Sequence, residues 1–342
     1  MAKTVLVTGA SGFVASYVID AFLNAGWNVR GTVRSTSKAE HLRSRYPDHA
    51  DKLELVEVPD LVTGKGLEEA VKGVDAIAHT ASPYTFTFTD PIKDLIDPAV
   101  KGTLSVLRAA KAAGIKHVVI TSSFAAVTNF AAGGPWRDYT YTSKDWNPST
   151  IDDVHDLTPP GVYSLSKKLA EEAAHQYAAE HGLVLSSINP PMIYGKPVQV
   201  ASRDDINTSS AAIYALITGE EGREVPWNRL PLFAHVADVA TAHVRALEAE
   251  DEKVAGKRFL ICGGSFTWED AVSLLATARP DLRPRLPKLP PSPEQYKDAG
   301  KPIAVLDTTD AKENLGIAEF KGWEETLLST VDALVEIEKR FV

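Results

Sequence analysis

The stretch Thr4-Val5-Leu6-Val7-Thr8-Gly9-Ala10-Ser11-Gly12-Phe13-Val14-Ala15 decides the fold of this chain. Its first five residues are apolar or β-branched and stop at a glycine, the pattern of a buried parallel strand. From Phe13 onward, Phe13, Val14, Tyr17, Val18, Ala21 and Phe22 recur at helical spacing, and Gly26 ends the run like a helix C-cap. Strand, glycine turn and helix in direct succession are the context of a phosphate-binding turn. Gly9 permits the tight turn, Gly12 lets a pyrophosphate approach the backbone, and Ala15 is small enough for close helix–strand packing. The helix offers free N–H groups and its positive dipole end to the phosphates.

Working outward, further strands are predicted at 28–33, 53–58, 76–79, 117–121 and 183–189. Helices are predicted around 38–45, 67–71, 92–113 and 163–181, the last two closed by Gly114 and Gly182. Such regular alternation implies right-handed βαβ units and an α/β fold with a Rossmann-type doubly wound parallel sheet. Past Pro190 the rhythm loosens. A Pro-rich piece spans 283–293, isolated strands are expected at 232–236 and 258–262, and Asp238 is the expected N-cap of a helix over 239–248. The expected organisation is a dinucleotide-binding domain over 1–190, with segments near 232–248 and 257–263 returning to it. Residues 191–342 would form mainly a smaller substrate-binding lobe over the carboxyl edge of the sheet.

Composition narrows the partners. The 342 residues carry a net charge of −9, which argues against nucleic acid or an anionic membrane surface as the main partner. Cys262 is the single cysteine, so no intrachain disulfide can form and a reducing compartment fits. No apolar run reaches the roughly 18 residues of a membrane span, and no signal-peptide pattern opens the chain. The expectation is a cytoplasmic protein, a monomer or homodimer, acting on a small molecule.

The end of the second strand selects the cofactor. An acidic residue about 20 positions after the glycines would bind the ribose 2′-hydroxyl of NAD. This chain has Gly31-Thr32-Val33-Arg34-Ser35-Thr36-Ser37-Lys38, with no carboxylate. Arg34 and Lys38 can instead hold a 2′-phosphate, which predicts NADP.

Two later segments carry chemistry. Tyr163-Ser164-Leu165-Ser166-Lys167 opens a predicted helix, so Tyr163 and Lys167 share a face. A phenol titrates at about 10, and a nearby ammonium with the cofactor charge is expected to lower it by two to three units. Thr121-Ser122-Ser123 ends the fifth strand at the carboxyl edge, where a hydroxyl can hydrogen-bond a substrate oxygen as charge develops. Spacing alone does not rank Ser122 against Ser123.

Together these residues resemble the extended short-chain dehydrogenase/reductase superfamily. Within it the chain is similar to the fungal NADPH-dependent aldehyde and ketone reductases of methylglyoxal/isovaleraldehyde type. Plant dihydroflavonol reductases are more distant relatives. The resemblance also rests on Val33-Arg34-Ser35, His79-Thr80-Ala81-Ser82-Pro83, Ser143-Lys144-Asp145-Trp146-Asn147-Pro148, Asn189-Pro190-Pro191 and Val236-Ala237-Asp238-Val239-Ala240. It implies reduction of aldehydes and ketones, with Ser123, Tyr163 and Lys167 catalytic and Lys167 also on the nicotinamide ribose. It implies Asp60 and Leu61 beside adenine, and Thr80, Ala81 and Ser82 along the cofactor's middle. Pro190 with the backbone of Met192 and Ile193 would hold the carboxamide. The cofactor set then includes Thr8, Gly9, Ser11, Gly12, Phe13, Val14 and Thr121. The Gly-rich stretch 131–138 departs from the familiar pattern, so specificity does not transfer there.

Tyr84, Phe86, Phe124, Phe130, Met192, Tyr194 and Trp227 are candidate apolar walls beside Ser123, with most weight on Phe86, Phe130 and Tyr194. His79 is expected to be structural or ribose-side. His175, His181, His235 and His243 lack metal-ligand spacing, so no metal is expected. Glu171-Glu172 reads as solvated helix surface. Rival readings are an epimerase or dehydratase that retains NAD and acts on nucleotide sugars, and a non-catalytic NADP-sensing module.

Overall fold

The computed structural model describes residues 2–35, 42–198, 200, 202 and 205–340. In chain order the elements begin with β1 (Thr4–Thr8), α1 (Phe13–Asn24), β2 (Asn28–Val33), β3 (Leu53–Glu57), α2 (Leu67–Ala70) and β4 (Ala76–His79). They continue with α3 (Asp97–Ala112), β5 (His117–Thr121), β6 (Thr140–Tyr141), α4 (Pro159–His181), β7 (Val184–Asn189), β8 (Met192–Tyr194) and α5 (Thr208–Ile217). The last are β9 (Leu232–His235), α6 (Val236–Glu248), α7 (Asp251–Val254), β10 (Lys257–Leu260), β11 (Gly264–Ser265), α8 (Trp268–Ala278), β12 (Val305–Leu306), α9 (Thr309–Leu315) and α10 (Trp323–Arg340).

Seven strands form one parallel sheet in the order β10-β7-β5-β4-β1-β2-β3. Successive side chains point to opposite faces, so each strand feeds two cores. Val5 and Val7 of β1 pack with Val18 and Phe22 of α1 and Val239 of α6. Leu6 points the other way, into a layer with Val106 and Leu107 of α3 and Ala174 of α4. Phe22 is fully buried and meets Trp27 edge to face at 5.4 Å, a burial that contributes about 2 kcal/mol. A third core holds Phe233, Phe266, Trp268 and Val331 around a small sheet of β11, β9 and β8.

β1 lies between β2 and β4, where the strand order reverses. The connections leave in opposite directions there, which opens a crevice at the carboxyl ends of the strands. Gly31 of β2 lets the glycine turn lie against that strand: a Cβ there would sit 2.8 Å from Ala10 Cβ and from Leu55 Cδ2.

Several sequence expectations shift. The segment at 257–260 is the edge strand of the large sheet, whereas 232–235 pairs within the small one. Helix α6 begins directly after β9, so its cap is His235, whose Nδ1 accepts from Ala237 N at 3.0 Å. Asp238 already lies inside the helix and accepts from Lys321 N at 2.8 Å, tying a distant loop to it. Helix α4 starts four residues before Tyr163, because prolines with preset φ occupy its first turn. The segment 92–113 is not uniformly α-helical: Ile92–Ile96 is a π turn, and Pro98, which has no N–H to donate, follows it.

Candidate active site

The crevice is a cleft of about 970 Å³. Gly9 forms the first bend of its floor at φ +67, a left-handed conformation that L side chains resist, and a Cβ there would lie 2.9 Å from Ala81 Cβ. Gly9 N donates to Thr32 Oγ1 at 3.1 Å and Gly12 N to Gly9 O at 2.9 Å, so the turn is braced from β2 and from itself. Gly12 caps α1 without a side-chain hydrogen bond, and the first turn carries no acidic residue. The opening N–H groups of α1 have no intrahelical partner and face an anion-binding position.

Thr8 organises the two strand ends. Its Oγ1 accepts from Thr80 N at 3.1 Å and Ala81 N at 3.2 Å, so its own proton goes to His79 Nδ1 at 2.8 Å. His79 then presents Nε2–H to Thr103 Oγ1 at 3.4 Å, which itself donates to Ala99 O. Burial, with Lys167 nearby, pushes His79 down to about 3, so the ring stays neutral and structural. Thr8 is fully buried and supports the cleft without lining it.

The catalytic candidates converge at the far end. Ser123 follows β5, Tyr163 and Lys167 project from successive turns of α4, and all three line the cleft. The Ser123 hydroxyl faces the Tyr163 phenol across the cleft wall and favours its ionised form. Ser123 Oγ also accepts from Ala125 N at 3.1 Å. Ser122 borders the cleft but its hydroxyl is committed elsewhere, donating to Glu171 Oε2 at 2.5 Å. Lys167 Nζ donates to Thr121 O at 2.9 Å. Thr121 is steadied in turn by His243, whose Nδ1 donates to Val239 O and whose Nε2 accepts from Thr121 Oγ1, each at 2.7 Å.

The electrostatics differ from the sequence expectation in one respect. Tyr163 is not lowered in the protein by itself. Burial, then the neighbouring Tyr84, hold it well above an ordinary phenol, opposed by the Ser123 hydroxyl. Burial pushes Lys167 down to about 8, opposed by the Glu171 carboxylate one turn further along α4.

Glu171 is the main correction. It is 1% exposed rather than solvated surface; its neighbour Glu172 keeps that role. Four donors reach it, from Ser122, Ser187, Asn189 and Arg258. No local pattern separates Glu171 from Glu172, because the partners come from the end of β5, from β7 and from β10.

The cofactor-side candidates Gly9, Ser11, Gly12, Phe13, Val14, Arg34, Asp60, Leu61, Thr80, Ala81, Ser82, Thr121, Pro190, Met192 and Ile193 all line the cleft. Lys38 lies outside the described residues. Phe86, Phe124 and Phe130 line the cleft. Tyr194 does not: it is 1% exposed and packs on Phe266 and Trp268 in the third core, because β8 turns it away from the cleft. Trp227 also stays off the cleft wall and pairs with Trp136 at 6.0 Å. Tyr84 takes a larger part than its spacing predicts. Its ring lies 5.1 Å from that of Tyr163, edge to face.

Thr8→Val keeps the shape and removes the hydroxyl. Two N–H groups and a histidine lose their partner, so denaturant unfolding should show a loss of about 2–4 kcal/mol.

A family model described as the NAD dependent epimerase/dehydratase family matches residues 5–262. An uncharacterized oxidoreductase of Schizosaccharomyces pombe is 42% identical over 286 residues, covering 82% of this chain and 83% of its own. The NADPH-dependent methylglyoxal reductase of Saccharomyces cerevisiae is 30% identical, covering 98% of this chain and 99% of its own. The crystal structure of Gre2 from Candida albicans in complex with NADPH matches with a TM-score of 0.88 at 32% identity, covering 98% of this chain and 99% of that one. With the parallel sheet and the glycine turn already in place, the chain belongs to the NAD dependent epimerase/dehydratase family, as an extended short-chain dehydrogenase/reductase.

Proposed function

We propose that this protein reduces small neutral aldehydes and ketones to alcohols with NADPH. The observation that carries the reading is the convergence, in one cleft, of the phosphate turn with Ser123, Tyr163 and Lys167. Relatives bearing NADPH in their names support the cofactor.

The residues present fit the cofactor. The left-handed Gly9 and the uncapped start of α1 form a cradle that a Cβ would fill. Arg34 is exposed at the end of β2 and is the residue to hold a 2′-phosphate, with Asp60 and Leu61 beside the adenine. Thr80, Ala81 and Ser82 would follow the middle of the molecule, and Pro190, Met192 and Ile193 would hold its carboxamide end. When bound, NADPH supplies the hydride that reduces the carbonyl carbon.

The protein's own part is the proton. Tyr163 is protonated near neutral pH, as any phenol is, and burial reinforces that form, so it can donate to the carbonyl oxygen as that atom gains charge. Ser123, which lines the cleft with Tyr163, orients the same oxygen. Lys167 supplies positive charge beside the phenol as it gives up its proton. Among the described residues lining the cleft, the carboxylates and strong bases are Arg34 and Asp60 on the cofactor side and Lys167. The walls at the substrate end are Tyr84, Phe86, Phe124 and Phe130, which favours uncharged substrates. Arg34 also weighs against a nucleotide-sugar enzyme that retains NAD. The same reading places the protein in the cytoplasm, as a monomer or homodimer; among the described residues no helix is long and apolar enough to cross a membrane.

Tyr163→Phe is expected to lower kcat by about a thousandfold or more, while NADPH affinity by fluorescence titration stays within about threefold. Parallel loss of NADPH binding would contradict the assigned role. Arg34→Ser should raise the KM for NADPH about tenfold or more and leave the KM for NADH nearly unchanged; equal effects on both would remove Arg34 from the 2′-phosphate.

A further inference from the structure

Tyr163, Lys167 and Glu171 occupy one face of α4 at intervals of four, and the third has no part in the proton step. Its surroundings are unusually well connected. Oε2 accepts from Ser122 Oγ at 2.5 Å and Asn189 Nδ2 at 2.8 Å, and Oε1 accepts from Ser187 Oγ at 2.6 Å and Arg258 Nε at 2.8 Å. The same Asn189 amide donates to the carbonyl of Ser123 at 3.3 Å. Arg258 is 7% exposed and stacks on the Trp146 ring at 3.5 Å. Its Nη1 donates to the carbonyls of Ser143 and Asp145 at 2.9 and 2.6 Å. One buried carboxylate thus joins α4, the end of β5, the end of β7, β10 and the 143–146 loop.

We infer that Glu171, neutralised by Arg258, is a positioning residue of the active site, fixing the strand ends that carry Ser123 and Pro190 against the helix that carries Tyr163 and Lys167. The inference rests on the reductase reading for its catalytic consequence. Its reach has two parts. Ser122 and Asn189 flank the two residues that frame the reacting end, so their anchor sets the distance between Ser123 and Tyr163. The carboxylate also favours the charged form of Lys167, against a burial that disfavours it.

The groups facing this pair come from several elements. Lys167 meets Thr121 of β5, Tyr163 of its own helix and, electrostatically, His79 of β4, which burial keeps neutral. Glu171 meets Arg258 of β10 and His175 of its own helix, whose Nε2 lies 3.9 Å away and which burial lowers. Among these, the carboxylate of Glu171 is the group that favours protonated Lys167.

The test compares wild type, Glu171→Gln, the Glu171→Gln/Arg258→Gln pair and the partly exposed neighbour Glu172→Gln as control. Three readouts are needed: the pH profile of kcat/KM, NADPH affinity, and the ionisation midpoint of Lys167 from competitive acylation read by mass spectrometry, which requires no turnover. Glu171→Gln should lower kcat about tenfold or more with NADPH affinity within about threefold. The alkaline limb and the Lys167 midpoint should both move to lower pH, because a neutral amide no longer favours the ammonium. Glu172→Gln should match wild type. The double variant leaves no unpaired buried charge, so it should recover stability and keep the lowered midpoint; it carries the test where the single variant does not fold. An unchanged Lys167 midpoint would overturn the inference. So would kcat, NADPH affinity and stability that fall together and return together in the double variant. A wild type without NADPH turnover would sink the reductase reading, and the Lys167 midpoints would still decide the role of Glu171.

Discussion

Everything at this site hangs from the reversal of strand order between β1 and β4. Parallel strands end on the same edge of the sheet, and only where their connections diverge does that edge stay open. Gly9 turns the chain at the end of β1, and Thr80 leaves the end of β4 beside it. Thr8 holds the two ends in register by accepting from both Thr80 N and Ala81 N. The phosphate turn, the cofactor's path and the catalytic edge of β5 are then fixed relative to one another by the sheet itself. Loops supply the aromatic walls, but the reacting groups stand on a strand end and a long helix.

The charges follow a similar economy. The chain is acidic overall, yet the cleft needs positive charge at two places. Arg34 is exposed at the end of β2. Lys167 is buried and loses part of its preference for the ammonium to desolvation. A second buried charge, Glu171, opposes that loss and is held by Arg258, outside the cleft lining. Burial would raise Glu171, but Arg258 and the hydroxyl donors outweigh it and the net shift is downward. Lone buried charges are costly, and here each has an opposite charge or a carbonyl within reach.

Legibility in the sequence tracked how local each signal was. β1, β2, β4 and β5 could be delimited to the residue; in β1, β4 and β5 a short apolar run that starts after Lys3, Asp75 or Lys116 states a buried parallel strand without outside help. The glycine turn, Arg34 and the Tyr163/Lys167 spacing were equally local. What escaped depended on partners far along the chain. Glu171 is indistinguishable from Glu172 until β10 delivers Arg258 to it. Tyr194 follows a cofactor-lining segment and was expected in the pocket, but β8 pairs with β9 and turns it into the third core. Asp238 resembles an N-cap, yet the strand before it runs directly into the helix and gives that place to His235. The relative weight of burial and Lys167 at Tyr163 was also invisible, since desolvation is a property of the packed cleft.

The measurement that bears most directly on the account is the initial rate of cofactor oxidation by the wild-type protein. NADPH and NADH would be compared against methylglyoxal, isovaleraldehyde and an uncharged aryl ketone. The account predicts steady NADPH consumption with several of these carbonyls and far slower use of NADH. Tight NADPH binding with no consumption against any of them, or equal use of NADH, would contradict it.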